Sequence, residues 1–527
     1  MATPDHARPA DPAPARPPGS VALVGAGPGD PGLITVRGLE LLWGAEVVVY
    51  DHLANPALLD SAPPGALRIA AGKSIGHKTL TQEQINATLA EHALLGRRVV
   101  RLKGGDPYVF GRGGEEAEHL AGLGIPFEVV PGVTSGLGAT AAAGIAVTHR
   151  DAASAVAFVT GHADPNNDGR LDWPSLARFP GTLVIYMGVT RLRDLCTTLI
   201  AGGKAPDCPA ALVEAGTTPR QRTVAGTLAT LPDRALAEQV GFPALLVVGE
   251  VVARRGRLAW FESLPLLGQR IVVTRPLGNP GDDPARPLAA LGAEVLLAPM
   301  IEVAPVTDST ALDAAIRRVA TYDWLVFTSA NGVRHFLDRL LALDLDPRAL
   351  GTTRLAAIGP STAEALASYH LRVDLIPAAH TSEGLVAALR ERAPGQRILL
   401  ARASRGRGVL AESLGSTAVL DEVVAYDHRD ATRLPDAIAE RLAVNSIDWI
   451  TFTSPATVTR FAALVPDAAR AQIGRAIRVA TISPLTSHSV RAAGWEVAAE
   501  AETASWDAVI AAIQAQVTRR RDYQSES

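Results

Sequence analysis

The densest run of chemically useful side chains is Arg101-Leu-Lys103-Gly104-Gly105-Asp106-Pro107-Tyr-Val109-Phe-Gly111-Arg112-Gly-Gly-Glu115-Glu116. It begins in the β-branched run RVVRL (98–102), so its first glycines, Asp106 and Pro107 fall where a strand ends. Glycine at that place lets main-chain groups approach a ligand closely at the carboxyl edge of a sheet. Five glycines would be entropically costly if the segment were only a connector. A second cluster, Gly25-Ala-Gly27-Pro28-Gly29-Asp30-Pro-Gly32, also follows a strand, VALVG (21–25). It fails the dinucleotide fingerprint, because Asp30 stands where the third glycine belongs and Pro28 has no amide hydrogen for a pyrophosphate. An acidic, proline-stiffened loop suits a cationic or neutral adenosyl ligand better. Ala71-Gly72-Lys73-Ser74 ends like a phosphate loop, but Leu67 occupies the place of its first glycine, which argues against nucleoside triphosphates. The plain alternative for either loop is a tight strand-to-helix turn.

These residues need a scaffold. From Ser20 onward β-branched runs alternate with helical patterns, the mark of α/β layers. VALVG, EVVVY (46–50), RVVRL and FEVVP (127–131) read as parallel strands. TVRGLELLWG and TQEQINATLAEHALLG read as helices, the latter opening with a Thr-x-x-Gln cap at Thr81. After about residue 136 the pattern resumes with AVAFVTG, TLVIYMG, PAALVEAG and PALLVVGE, a second α/β domain ending near Val252. A length of 527 implies three or four domains at roughly 150 residues each. Two cysteines exclude a disulfide framework and a cysteine-based metal centre. A net charge of -4 gives no general reason to expect nucleic acid. No apolar run reaches the ~18 residues that span a membrane. Residues 1–19, rich in proline and alanine, read as a disordered tail rather than a secretory leader, and the chain as cytoplasmic.

Together with GAGPGDPGLIT, YDHL (50–53), PGVTSG (131–136), AGIAVTHR (143–150), YMG (186–188) and EAGTTPRQR (214–222), the glycine-rich run resembles the tetrapyrrole methylases. Within them it is similar to the uroporphyrinogen-III C-methyltransferases, over residues 20–262, with subdomains of about 20–135 and 136–262. The resemblance implies transfer of two methyl groups from S-adenosylmethionine to uroporphyrinogen III, giving precorrin-2 on the way to siroheme or cobalamin. It places S-adenosylmethionine against Pro28, Gly104, Gly105, Asp106, Val109, Thr134, Ser135, Met187 and Gly216, with Asp51 as proton acceptor and Lys73 as proton donor. The chemistry agrees: methyl transfer to an electron-rich pyrrole carbon depends on orientation and desolvation, and the product must then shed a proton to a base. The substrate's carboxylates need cations, for which Arg101, Lys103, Arg112, His149 and Arg150 qualify by type. Without the resemblance Asp51 reads as a turn cap, Lys73 as a solvated lysine and Met187 as core filler. His77, His119, His149 and His162 show no helical metal-pair spacing, so no metal is expected. The family's usual state implies a homodimer through this half, with small-molecule tetrapyrroles as partners and neither nucleic acid nor membrane.

The second half repeats itself. Asp323-Trp324-Leu-Val-Phe-Thr-Ser329 recurs as Asp448-Trp449-Ile-Thr-Phe-Thr-Ser454, and LAAIGPSTAEAL (355–366) recurs as VATISPLTSHSV (479–490). Offsets of 125 and 124 residues are too long for a solenoid and read as two similar α/β domains with a ligand cleft between them. Strand-end hydroxyls at Thr328, Ser329, Thr453 and Ser454 could bind carboxylate at helix N-termini, although capping is the simpler role.

The series IVVTRP, LVFTSANGV, LAAIGPST, RILLARASRGRG, VVAYDHR, WITFTSPATV and ISPLTS resembles uroporphyrinogen-III synthase over residues 268–515. The fold class is therefore α/β: a two-domain tetrapyrrole methylase fold followed by a two-domain uroporphyrinogen-III synthase-like fold. The resemblance implies two domains joined by a two-stranded ladder, 304–427 being inserted, and a polar tail at 516–527. It also implies closure of hydroxymethylbilane to uroporphyrinogen III with ring D inverted. Tyr426 matches the family's tyrosine near the leaving hydroxyl, and Thr328, Ser329, Thr362, Ser454 and Thr486 are cleft candidates. Arg275, Arg402, Arg405 and Arg407 are candidate carboxylate partners. Ser483 replaces Gly359 of the first repeat, and if that position needs a positive φ the loop is altered. The reading is a bifunctional enzyme. The alternatives are a non-catalytic tetrapyrrole-binding C-terminal half, or a methylase acting later on the corrin ring.

Overall fold

The computed structural model describes residues 19–72, 80–161, 171–275, 283–405, 409–415 and 417–526; Lys73, Arg407 and nearly all of the expected N-terminal tail lie outside them. The chain forms two compact units, Met1–Gly268 and Gln269–Ser527.

The first unit opens with strands β1 (Ser20–Gly25), β2 (Val47–Tyr50), β3 (Leu67–Ala70), β4 (Arg98–Lys103) and β5 (Phe127–Val130). They form one parallel sheet in the order β3-β2-β4-β1-β5. Its strands are apolar on both faces. Val21, Leu23, Val47 and Val49 enter one core cluster, while Ala22, Val24, Val48 and Leu102 enter another. The helix Gln82–Leu94 carries the Thr81–Gln84 capping box. A second lobe follows, with β6 (Val156–Thr160), β7 (Thr182–Tyr186), β8 (Pro209–Glu214), β9 (Arg222–Thr227) and β10 (Ala244–Val248) in the order β6-β7-β10-β8-β9. Only β6 and β7 run parallel there; β10 lies antiparallel between β7 and β8, so this sheet is mixed.

The second unit contains β11 (Arg270–Val273), β12 (Glu294–Leu297), β13 (Ile301–Pro305), β14 (Trp324–Phe327), β15 (Arg354–Ala357), β16 (Arg397–Ala403), β17 (Val419–Asp430), β18 (Trp449–Phe452), β19 (Arg478–Thr481) and β20 (Ala499–Glu500). One sheet runs β12-β11-β18-β19-β20 and the other β13-β17-β16-β14-β15. The chain leaves the first sheet along β13 and returns along β17, and these two strands pair antiparallel from Ile301↔Asp430 to Pro305↔Tyr426. The division expected at 304 and 427 thus falls inside both strands of this ladder. The helix Trp506–Glu526 runs through residues 516–526; Val517 is buried and residues 518–522 are exposed.

The repeat has a physical basis. Trp324 and Trp449 each donate their indole N–H to a glutamine, Gln396 at 2.7 Å and Gln269 at 3.1 Å. Arg354 and Arg478 bond the same glutamine oxygens and lie over the indole rings, 4.5 and 4.6 Å from their centroids. Asp323 and Asp448 accept the main-chain N–H of Arg397 and Arg270. The glutamines open a third repeated pair, GQRIVVTR (268–275) and GQRILLAR (395–402), which is hidden in a linear reading because its order is permuted.

The concern over Ser483 does not hold. Gly359 has φ -170° and Ser483 φ -162°, extended backbone open to any residue. Ser483 instead caps the helix Pro484–Ala492, its Oγ accepting from the Thr486 N–H at 3.4 Å. Replacing Ser483 by Ala is expected to destabilise the second unit by about 1 kcal/mol, and by Gly only a few tenths. Guanidinium unfolding followed by tryptophan fluorescence checks this, and a glycine variant more stable than wild type would contradict it.

Candidate active site

At the carboxyl edge of the first sheet three loops lock together. Gly27 and Gly105, at φ +78° and +66°, exchange main-chain hydrogen bonds of 3.2 and 2.7 Å. A Cβ on Gly132 would lie 2.2 Å from the Gly105 carbonyl, so only glycine allows this approach. Asp106 fastens the arrangement, one carboxylate oxygen accepting from the Tyr108 N–H at 2.8 Å and the other from the Gly132 N–H at 3.0 Å.

The second lobe closes onto these loops. The Tyr186 hydroxyl meets Thr134 Oγ1 at 2.7 Å and accepts from the Gly136 N–H at 2.8 Å. Phe110 packs on the Tyr186 ring, centroids 4.9 Å apart. The turn after β8 presses Gly216 against Ala139, where a Cβ would come within 2.2 Å of the Ala139 Cβ. Its Thr217 accepts the Asp30 N–H at 3.0 Å. Among the described residues nine non-glycines have left-handed φ, and five of them, Phe110, Arg112, Met187, Ala215 and Thr217, belong to these loops. Strain concentrated in this way marks a built crevice. Met187 is 52% exposed, so it is not core filler. Pro28, Gly104, Gly105, Asp106, Val109, Thr134, Ser135 and Gly216 lie on the same loops and are buried or half-buried.

Beneath the loops lies a buried charge cluster. Arg101 and Lys103 are each 2% exposed, on β4. Glu116, fully buried in the helix Gly113–Gly122, accepts from Arg101 Nε at 3.1 Å, Lys103 Nζ at 2.9 Å and Gln82 Nε2 at 3.2 Å, all through Oε1. Arg101 Nη2 reaches forward to Asp51 Oδ1 at 2.5 Å, and Asp51 is about one-third exposed. Asp51 is therefore an anchored carboxylate and not a turn cap. Burial pushes the Lys103 ammonium down from its usual range and the Arg101 charge adds to this, while Glu116 and Asp51 oppose it. The expectation that Arg101 and Lys103 meet substrate carboxylates is corrected: their charges are consumed below the surface. Arg112 and Arg150 are exposed and His149 is half-buried. Arg112 forms a two-pronged pair with Glu115 at 2.8 and 2.7 Å, and His149 Nδ1 accepts from the Asp151 N–H.

In the second unit the hydroxyls divide by role. Ser329 caps the helix Ala330–Ala342, accepting from the Gly332 N–H at 3.0 Å, and Ser454 caps the helix Pro455–Leu464. Thr328 is half-buried, whereas Thr362 and Thr486 are 1% exposed and cannot line a cleft, a second correction. Tyr426 is 4% exposed in the core of its lobe. Its hydroxyl meets Ser329 Oγ at 3.0 Å and its ring stacks on His335, with His428 edge-on. Burial raises the Tyr426 phenol, partly offset by Ser329. The hydroxyl is thus tied to the cap of the helix Ala330–Ala342. Arg402 pairs with Glu422, Arg405 with Asp430, and Arg275 lies over Trp506.

Two family models match the chain: Tetrapyrrole (Corrin/Porphyrin) Methylases over residues 20–232, and Uroporphyrinogen-III synthase HemD over residues 282–511. The porphyrin biosynthesis protein HemD of Ruminiclostridium josui is 40% identical over 451 residues, 85% of this chain and 89% of that protein. The uroporphyrinogen-III C-methyltransferase of Bacillus subtilis is 44% identical over 343 residues, 64% of this chain and 69% of its own. The siroheme synthase of Gluconacetobacter diazotrophicus is 55% identical over 239 residues, 45% of this chain, which spans only 50% of that relative's length. Among solved structures, the uroporphyrin-III C-methyl transferase of Thermus thermophilus with S-adenosylhomocysteine is 43% identical, covering 45% of this chain and 99% of that one, with a TM-score of 0.39. No helix among the described residues is long and apolar enough to cross a membrane. Two family models in tandem, and a relative matched along most of its length, place the chain: it belongs to the porphyrin biosynthesis proteins that join a tetrapyrrole methylase to a uroporphyrinogen-III synthase.

Proposed function

We propose that the second unit closes hydroxymethylbilane to uroporphyrinogen III with inversion of ring D, and that the first unit methylates that product twice to precorrin-2, with S-adenosylmethionine as donor. The observation that carries the methyltransferase reading is the convergence of the β1, β4 and β5 loops with Met187 and the Ala215–Thr217 turn on one crevice. The residues fit an adenosyl ligand: glycine approaches leave main-chain groups close, an exposed thioether stands at the rim, and no dinucleotide fingerprint is present. When bound, S-adenosylmethionine supplies an electrophilic methyl group. Pro28, Gly104, Gly105, Asp106, Val109, Thr134, Ser135, Met187 and Gly216 would hold it. Asp51 takes the proton that the methylated pyrrole carbon sheds, and Arg101 fixes its carboxylate in place. Lys73, outside the described residues, keeps the proton-donor role implied by resemblance. Arg112 and Arg150 are the cations left for substrate carboxylates, with half-buried His149 beside Arg150 as a further polar contact. The first unit is proposed to pair as a homodimer.

In the synthase unit, holding a flexible linear polyanion in one fold is the main catalytic task. The burial of Tyr426 favours catalysis without a tyrosine acid. The same burial is the observation favouring the second reading, in which this unit binds tetrapyrrole without turnover.

Incubation of the full chain with hydroxymethylbilane separates these readings. Type III isomer without S-adenosylmethionine, and precorrin-2 with it, is the expected result; type I alone, with added uroporphyrinogen III still methylated, would leave the second unit a binding module. Asp51→Asn is expected to slow methylation by about 100-fold or more while S-adenosylhomocysteine affinity stays within about threefold. Tyr426→Phe is expected to keep type III formation within about threefold and to cost about 1 kcal/mol of stability from its bond to Ser329. A hundredfold loss of type III product in a folded Tyr426→Phe protein would restore the tyrosine as a catalytic acid.

A further inference from the structure

The turn that brings Gly216 to the crevice is held by a hydrogen-bond chain reaching to Glu262, near the end of the first unit. Thr217 is β-branched and sits at φ +65°, a conformation that such residues adopt only under constraint. Its N–H donates to Gln221 Oε1 at 2.7 Å, and its Oγ1 accepts the Asp30 N–H at 3.0 Å. Thr217 thus joins two cofactor loops, that of Gly216 and that of Pro28. Gly29 packs so closely on it that a Cβ there would lie 3.1 Å from Thr217 Oγ1 and 2.7 Å from the Thr218 methyl carbon.

Gln221 is 4% exposed and both ends of its amide are engaged. Nε2 donates to Glu262 Oε1 at 3.0 Å. Turning the amide over would set NH2 against the Thr217 N–H and oxygen against the carboxylate, so Glu262 decides which way it faces. Glu262 is in turn fixed by the Thr223 hydroxyl at 2.5 Å and by Arg255. It stands six residues before Gly268, where the first unit ends, and Gly268 itself donates to the Pro219 carbonyl at 3.1 Å.

We infer that Gln221 is a positioning residue for the cofactor crevice, keyed by Glu262 near the end of the first unit, so that the last residues of this unit also shape the methyl-donor site. The inference rests on the reading that S-adenosylmethionine binds between the Pro28 and Gly216 loops. An apolar residue at 221 leaves the Thr217 N–H without its acceptor, frees the strained turn and loosens Asp30. Loss of the Glu262 carboxylate frees the amide to turn. Neither change touches the tetrapyrrole cations Arg112 and Arg150.

The test is calorimetric titration of the full chain with S-adenosylhomocysteine, together with steady-state methylation. Gln221→Leu is expected to weaken binding about tenfold and Glu262→Ala about three- to tenfold, a change of about 1.4 kcal/mol per factor of ten. The KM for S-adenosylmethionine should rise in parallel. The kcat at saturating donor, and the KM for uroporphyrinogen III, should stay within about twofold, a split that general loss of structure would not give. Thr217→Val removes only the Oγ1 acceptor at matched shape, and serves where the Gln221 variant unfolds; it too should bind about threefold or more weakly. Folded Glu262→Ala and Thr217→Val proteins with wild-type affinity would overturn the inference alone. A wild-type chain that bound no S-adenosylhomocysteine would overturn both it and the cofactor reading beneath it.

Discussion

Two cations with almost no surface of their own, Arg101 and Lys103, set the terms for the first unit. They lie on β4, the strand beside β1 and β2, where burial of charge is most expensive. Glu116 makes the arrangement tolerable by accepting from both, and breaking such a buried pair typically costs about 3–5 kcal/mol. What remains is one guanidinium edge turned toward the surface, and Asp51 is held there. This cluster places the Asp51 carboxylate, about one-third exposed, at the carboxyl edge of the sheet. The loops above it, from Gly104 to Arg112, begin where this strand and its buried cluster end.

The crevice formed by these loops belongs to neither lobe alone. The parallel sheet supplies glycine turns, and the mixed sheet supplies Tyr186, Met187 and the Ala215–Thr217 turn. The bonds between them are short and mostly buried: Tyr186 to Thr134 and Gly136, Thr217 to Asp30. Left-handed backbone at five non-glycine positions is concentrated on these loops, and at Phe110 and Thr217 it is held by such contacts. The second unit solves a different problem. Its two sheets carry the same Trp-Arg-Gln-Asp fastening at their amino edges, and the ladder of β13 and β17 carries the chain out to one and back to the other.

Much of this was legible from residue types. The parallel strands of the first lobe, the Thr81 capping box, the glycine clusters and the Asp-Trp repeat follow from local rules that tertiary structure did not override. The misreadings share one cause: a side chain's type does not tell which way it faces. Arg101 and Lys103 qualify as substrate cations by type, yet they flank Leu102 on a strand covered on both faces. Thr362 and Thr486 suggest a cleft by their place in the repeat, but their helices turn them into the core. Ser483 looked like a loss because glycine suggests positive φ, and the actual φ is extended. The pairing of Gln221 with Glu262, and the permuted GQR repeat, depend on contacts or chain order that a linear scan does not register.

A methyl-donor site built by both lobes of the first unit must respond in both lobes when it fills. Hydrogen–deuterium exchange of the full chain with and without S-adenosylhomocysteine tests it most directly. Exchange is expected to slow together at 25–33, 104–112 and 132–138 and at 186–188 and 214–221. Protection confined to one lobe, or absent from the 214–221 turn at saturating ligand, would contradict it.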